Sequence, residues 1–357
     1  MAVEPLNRPE SCNHVAIQSN ALMHVSALTS LNALIGSTPM LEISYTFDGK
    51  AGRIYAKHEV MNLTGSVKDR MAAYIIRCAY ESGELQPGDT IVEASSGNTG
   101  ISFAAVGRAL GHPVRIYMPN WMSQERVQLM QNYGAEVVPV SSEQGGFLGS
   151  IAMSEAFAKE RSHVFQPKQF SNAANIDAHY HATGPEIEKQ LAMFERKADA
   201  FVAGVGTGGT VMGVGRFLRR DGRRVHAHPL EPANSPTLRT GHKVGKHRIQ
   251  GISDEFIPAI IDLKELDPVV DVWDGDAILM AQNLAGVLGL AVGISSGANV
   301  LGAIRLACDL GPEATVATVL PDSNKKYLST DLCRDEPVRD DYLTPRIELL
   351  GFRAVRG

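Results

Sequence analysis

TIVEASSGNTGISFAAVGRALGHPVRIYMP, residues 90–119, decides the fold. TIVEA is a short β-branched run, and VRIYMP is a second apolar run of similar length. Between them NTGISFAAVGRALG carries a helical apolar pattern and is closed by Gly111. Strand, helix and strand at this spacing predict a crossover unit with the two strands parallel. Working outward, the rhythm repeats. RIYAKHEV reads as a strand, SVKDRMAAYIIRCAYESGEL and SQERVQLMQNYG as helices, and EVVPV as a strand. Beyond these, DAFVAGV, GTVMGVGRFLRRDG, RVHAHPLEP and ATVATVLPD continue the alternation. An α/β protein with mostly parallel sheets flanked by helices is therefore expected.

The 357-residue chain is long enough for two lobes, and its 44% hydrophobic and 20% charged content suits a sizeable core. A net charge of −5 gives no footing for nucleic acid. No apolar run is long enough to span a bilayer, and the first 25 or so residues lack the apolar core of a signal peptide. Cys12, Cys78, Cys308 and Cys333 are scattered, without CxxC spacing, and read as reduced thiols in a cytoplasmic protein. HYH at 179–181 and the later His226, His228, His242 and His247 lack metal-ligand spacing, so no metal is expected. Residues 233–258 have turn residues and no period, and read as a long loop.

Three features carry chemistry. EASSGNTG, residues 93–100, and GVGTGGT, residues 204–210, each follow a strand and open a helix. Backbone N–H groups at such a place hold an anion. The second segment lacks the lysine of a nucleotide P-loop and the spacing of a dinucleotide fingerprint, yet its glycines and threonines suit a phosphate. The first adds the Asn98 amide and the Ser95, Ser96 and Thr99 hydroxyls, a set that suits a carboxylate. Plain turn and cap chemistry is the competing reading of both segments. Thirdly, NLTGSVKDR, residues 62–70, sets Lys68 just after a Gly-Ser turn at a helix start. A cation is mildly unfavourable there, so Lys68 is either a solvated side chain or an amine in use, with its pKa lowered. A phosphate cradle, a carboxylate cradle and a nucleophilic lysine together suit pyridoxal 5′-phosphate acting on an amino acid.

The same motifs carry a family resemblance. IGSTPML (35–41), NLTGSVKDR, EASSGNTG, MSQERVQLMQNYGAEVV (122–138) and QFSNAANIDAHYHATGPEI (169–187) occur in order. GVGTGGT, IQGISDEFIP (249–258), GISSGAN (293–299) and LPDSNKKYLSTDL (320–332) follow. Over about residues 30–333 the chain resembles the fold-type II pyridoxal-phosphate enzymes of the cysteine synthase and cystathionine β-synthase group. The resemblance implies that Lys68 is the Schiff-base lysine and takes the substrate's α-proton. It implies that Asn98 meets the cofactor's ring hydroxyl, and that Gly206, Thr207, Gly208, Gly209 and Thr210 bind its phosphate. Ser323 is expected against the pyridine nitrogen, with the adjacent Asp322 pointing away by strand alternation. Ser95, Ser96, Gly97, Thr99 and Gln169 are expected to grip the substrate carboxylate, and Gly251 and Ser295 to line the cavity.

The reaction implied is β-replacement on an activated L-serine through an α-aminoacrylate, foremost cysteine synthesis from O-acetylserine and sulfide. Another nucleophile (thiosulfate, homocysteine or an amine), or a β-eliminating lyase such as a cysteine desulfhydrase or serine dehydratase, stands as the alternative. The family also implies a homodimer; a third, non-enzymatic reading is a family member kept as a binding partner, for example of serine acetyltransferase, and intact Lys68, Asn98 and Ser323 argue against it. Two departures bear on the substrate. Ala94 and Ser95 replace the family's usual Pro-Thr, and Asp254 and Glu255 bring two carboxylates to the pocket mouth. Near the pocket these carboxylates would disfavour an anionic second substrate and suit one bearing an ammonium group; a plain exposed acidic turn is the competing reading, and the one favoured from sequence. The expected architecture is a flexible segment at 1–27, a smaller mobile lobe at 62–172, and a larger lobe from 28–61 plus 173–333. Residues 334–357 are expected to be an extension lying on the surface or on a partner subunit.

Overall fold

The computed structural model describes residues 27–357, so the flexible segment expected at 1–27 lies almost wholly outside it, as does Cys12. Four parallel strands form one sheet in the order β5-β4-β3-β6. They are β3 (Thr90–Ala94), β4 (Val114–Pro119), β5 (Glu136–Val140) and β6 (Val164–Phe165). The opening stretch is thus a parallel crossover: β3, the helix Asn98–Ala109, then β4 beside β3. Ile91, Val114 and Ile116 of the strands pack with Ile101, Phe103 and Val106 of that helix and with Met71, Ile75 and Ile76 of the helix Lys68–Ser82. All of these side chains are buried, and their removal from water is the main force holding this sheet to its helices.

A second sheet has seven strands in the order β11-β1-β2-β10-β7-β8-β9. Here β7 (Ala200–Gly204), β8 (His226–Pro232), β9 (Val270–Val272) and β10 (Val316–Leu320) run parallel, and β10 also pairs in parallel with β2 (Lys50–His58). The strand β1 (Met40–Phe47) joins β2 as an antiparallel hairpin. The C-terminal segment differs from the surface extension expected. Residues Ile347–Val355 form β11, the sheet edge, paired antiparallel with all of β1 across one register shift. Ile347 and Leu349 alternate inward into the core while Glu348 and Leu350 face out. That two-residue period is the strand signal, masked in the sequence by the preceding charges and prolines.

The helix Ile294–Leu310 packs on β10, β7 and β2, and the helix Asp274–Leu288 packs on it in turn. Gly297 makes that approach close, because a Cβ there would stand 2.1 Å from the Ala277 carbonyl oxygen. Cys78, Cys308 and Cys333 are free thiols. No helix among the described residues is long and apolar enough to cross a membrane.

Candidate active site

A cavity opens where β3, β7 and β10 end and the helices that follow β3 and β7 begin, the crevice where open parallel sheets place their ligands. Lys68, Ser95, Ser96, Gly97, Asn98, Thr99 and Gln169 line it, as do Gly206, Thr207, Thr210, Gly251 and Ser295. Motifs separated by more than two hundred residues thus converge on one wall.

Lys68 is the first residue of its helix, and everything around it is fixed. The Val67 N–H donates to the Pro321 carbonyl at 2.8 Å, tying the turn to the end of β10. Asp69 is buried, and its carboxylate accepts from the Thr64 N–H at 2.7 Å and from the Thr64 and Ser102 hydroxyls at 2.6 Å each. Arg70 is clamped by Glu59, at 2.6 and 2.8 Å, and by both oxygens of Glu186 at 2.8 Å. Between these anchors Lys68 makes no hydrogen bond or ion pair among the described residues. Burial pulls its pKa below the ordinary lysine value, against the attraction of Asp322 and Asp254. A larger share of neutral amine follows, as a nucleophile or base requires. This environment supports the reading of an amine in use.

The Arg70 anchor is a strong constraint on Lys68. Burial opposes the ionisation of Glu59, yet Arg70, Lys57 and Thr38 outweigh it and hold the carboxyl down at about 2. Arg70→Met leaves Glu59 buried without its main partner, so a loss of about 3–5 kcal/mol is expected in a denaturant titration. The pH sign follows from the direction of the Glu59 shift. The depressed carboxyl stabilises the fold fully above its ordinary value of 4.5, and that contribution disappears as pH falls toward about 2. The wild type should therefore lose stability across that window more steeply than Arg70→Met.

The loop after β3 is shaped from within. Ser95 Oγ accepts from the Gly97 and Gly100 N–H groups at 3.1 and 2.9 Å. The Thr99 hydroxyl donates to Gln169 Oε1 at 2.6 Å, and Gln169 Nε2 donates to the Ala94 carbonyl at 2.8 Å. Asn98 is held at both ends of its amide. Its Nδ2 donates to Asp322 at 2.7 Å, and its Oδ1 accepts from Lys326 Nζ at 2.7 Å. Both flanking charges are buried, so the amide orientation is locked.

The 206–210 loop is shaped in the same way. Gly208 has a φ of 88°, and a Cβ at Gly209 would fall 2.0 Å from Asn175 Oδ1. Asn175 in turn donates to Thr207 Oγ1 at 2.9 Å. Gly208 and Gly209 shape the turn from behind, while Gly206, Thr207 and Thr210 face the cavity. The Thr210 hydroxyl lies 3.3 Å from His179 Nε2, and burial, with Arg70 and Lys68 nearby, pushes that imidazole down to about 3. His179 is therefore neutral. The donors, the small residues and the N-terminus of the helix Gly209–Arg219 fit a phosphate, and the unpaired amine of Lys68 fits an aldehyde.

Two expectations change. Ser323 is not in the cavity wall: it precedes a short 3-10 turn, and its Oγ accepts the Lys325 N–H at 3.3 Å. Ser295, in the first turn of the helix Ile294–Leu310, takes a place in the wall instead. Asp322 does not point away either. It is fully buried and accepts from Asn98 and from the Tyr327 hydroxyl, because β10 has already ended at Leu320 and strand alternation no longer applies. The acidic pair at the pocket mouth separates. Glu255 pairs with Lys243 at 2.8 Å, whereas Asp254 lines the cavity, where burial pushes its carboxyl up to about 6. Phe147, Phe170 and Arg126 also line it, and none was singled out from the sequence. His226 and His228 meet Asp267 at the edge of β8, outside the cavity, and that carboxylate already accepts from Arg219 and the Ala227 N–H.

The comparisons with known proteins agree with this geometry. The model of the pyridoxal-phosphate dependent enzyme family matches residues 31–322, and the chain belongs to that family. Within it the chain is of the cysteine synthase-like kind. It is 41% identical to a cysteine synthase of Staphylococcus aureus over 304 residues, covering 85% of this chain and 96% of that protein. Among solved structures it resembles a hydrogen sulfide-producing enzyme from Fusobacterium nucleatum, with 52% identity and a TM-score of 0.91 over 93% of this chain and 99% of the other. A cysteine synthase from Entamoeba histolytica follows, with 33% identity and a TM-score of 0.78 over 87% and 91% of the two chains. The protein is a pyridoxal-phosphate-dependent enzyme acting on small molecules.

Proposed function

We propose that this enzyme replaces the β-substituent of L-cysteine, releasing sulfide and adding a nucleophile that arrives protonated. Cysteine and HX, where HX is water, a thiol or an amine, give hydrogen sulfide and the β-X-substituted alanine. One observation carries the direction: Asp254 places a carboxylate of raised pKa in the cavity that also holds Lys68. A carboxylate repels an incoming hydrosulfide anion and accepts a proton from a neutral nucleophile. The 52% identity with a hydrogen sulfide-producing enzyme supports the same reading.

Bound pyridoxal phosphate supplies the electron sink for charge developing at Cα. The chain does the rest. Lys68 holds and moves the α-proton. Asn98 orients the cofactor's ring, the 206–210 loop holds its phosphate, and Ser295, in place of Ser323, offers a hydroxyl to the pyridine nitrogen. Ser95, Ser96, Gly97, Thr99 and Gln169 receive the substrate carboxylate, and Gly251 closes the wall. Asp254 takes the proton from HX. Closure of residues 62–172 on 28–61 plus 173–333 would exclude water meanwhile. A homodimer and a cytoplasmic location belong to the same reading, whereas a serine acetyltransferase complex would go with the second reading below.

Cysteine synthesis from O-acetylserine and sulfide is the second reading, supported by 41% identity to a cysteine synthase. Side-by-side rates separate the two. Sulfide released from L-cysteine with an equal amount of β-substituted alanine is the expected result. Faster cysteine formation from O-acetylserine and sulfide would overturn it for the second reading. Pyruvate formed one for one with sulfide would overturn it for a lyase.

A further inference from the structure

Arg126, in the helix Gln124–Asn132, is a buried cation in the cavity wall with no acidic partner. It is 2% exposed. No carboxylate among the described residues forms an ion pair with it. The neighbouring Glu125 is engaged elsewhere, accepting the N–H and hydroxyl of Ser329 at 2.9 Å each. The guanidinium is held by weaker contacts. One terminal nitrogen donates to the Ser96 carbonyl at 3.3 Å and touches Met122 Sδ at 3.9 Å. Its Cζ lies 4.8 Å from the centre of the Tyr327 ring. Its Nε–H is buried with no hydrogen-bond partner. The group presses on the loop after β3 so closely that a Cβ at Gly97 would stand 3.1 Å from that Nε.

A buried guanidinium without a counter-ion is costly, and it persists where something outside the chain completes it. The local charges sharpen this. Lys326 is a second buried cation beside the same loop, and burial, with Arg126 contributing, lowers its pKa. The buried carboxylate of Asp322 attracts Lys326 and already serves Asn98 and Tyr327. Asp69, a second buried carboxylate, also acts on Lys326, so Arg126 is the cation of this wall left without an acidic partner among the described residues.

We infer that Arg126 is the positioning residue of the substrate's carboxylate site. It fixes the Ser96–Gly97 peptide from behind, and its charge is balanced when the amino-acid carboxylate enters. This rests on the proposal that the substrate is an amino acid, and it extends that proposal from the loop to the charge that supports it.

The test is calorimetric titration of the cofactor-loaded protein with L-serine and with L-serinamide, which lacks the carboxylate. The wild type should prefer the acid. Arg126→Gln should weaken the acid about tenfold or more, the equivalent of about 1.4 kcal/mol, and leave the amide unchanged. Arg126→Lys keeps the charge and should keep most of the preference, with a melting temperature and cofactor content like the wild type's. Equal losses for acid and amide in Arg126→Gln, or an intact preference there, would overturn the inference alone. A wild type without preference would overturn both the inference and the amino-acid reading on which it rests.

Discussion

Lys68→Ala is expected to lose turnover by about 10⁴-fold or more, the scale on which removing a group central to covalent and proton-transfer chemistry acts. The fold should not suffer. Lys68 forms no hydrogen bond or ion pair among the described residues, and Asp69 and Arg70 hold the helix start without it. The sign of its shift gives the same answer. Its pKa in the folded chain lies below the ordinary value, so the charged form is penalised by folding at neutral pH. Removing the amine therefore costs no stability there, and the melting temperature should stay within a few degrees of the wild type's. A variant that is folded and inactive separates chemistry from structure at this position.

Asp254→Asn carries the second large effect. A general base contributes about 10²–10⁴-fold, and replacing it with an amide should reduce sulfide release from cysteine by that factor. The wild-type rate should rise as pH passes upward through about 6, where Asp254 ionises, and then level off. The variant should lack this limb. Asp254→Asn should also fold at least as well near neutral pH. Its carboxyl is raised by burial, so the folded state favours the protonated form, and ionisation above that range costs stability. Any capacity to form cysteine from O-acetylserine and sulfide should survive, because hydrosulfide needs no base and the repelling charge is gone. The ratio of the two rates, measured at one pH, reports the effect directly.

Much of this was legible because the strands between helices are short, apolar and clearly bounded. TIVEA, VRIYMP and EVVPV coincide with β3, β4 and β5. The helix Asp274–Leu288 was not read because it is apolar on most faces, and a buried helix has little periodicity to show. Strand β1 and edge strand β11 depend on each other across three hundred residues, and no local window holds that information. The site divides along the same line. Lys68, Asn98 and the 95–99 and 206–210 loops stand at helix starts, where chain direction alone aims them at a sheet edge.

Ser323 and Ser295 were harder to tell apart. Each is a hydroxyl near a turn, and only the fold shows that Ser295 lines the cavity while Ser323 caps the short turn at 324–326. Arg126 lay hidden in SQERVQLMQN, where alternating charge reads as a solvated helix face. Its guanidinium lies over the ring of Tyr327, some two hundred residues onward, which no local window shows. Asp254 separated from Glu255 only when Lys243 was seen to hold the latter.

The central claim is that Lys68 carries the cofactor, and it can be tested against the buried lysines Lys57 and Lys326. Lys57 is spent on Glu186 and the Thr38 carbonyl, and Lys326 on Asn98 and the Gly65 carbonyl, which leaves Lys68 as the unengaged amine among the three. The measurement is borohydride reduction of the cofactor-loaded protein, followed by proteolysis and mass mapping of the lysine peptides. The account predicts the reduced pyridoxyl-phosphate adduct on the peptide containing Lys68 and on no other in stoichiometric amount. An adduct on Lys57 or Lys326, or a loaded protein with no adduct at Lys68, would contradict it.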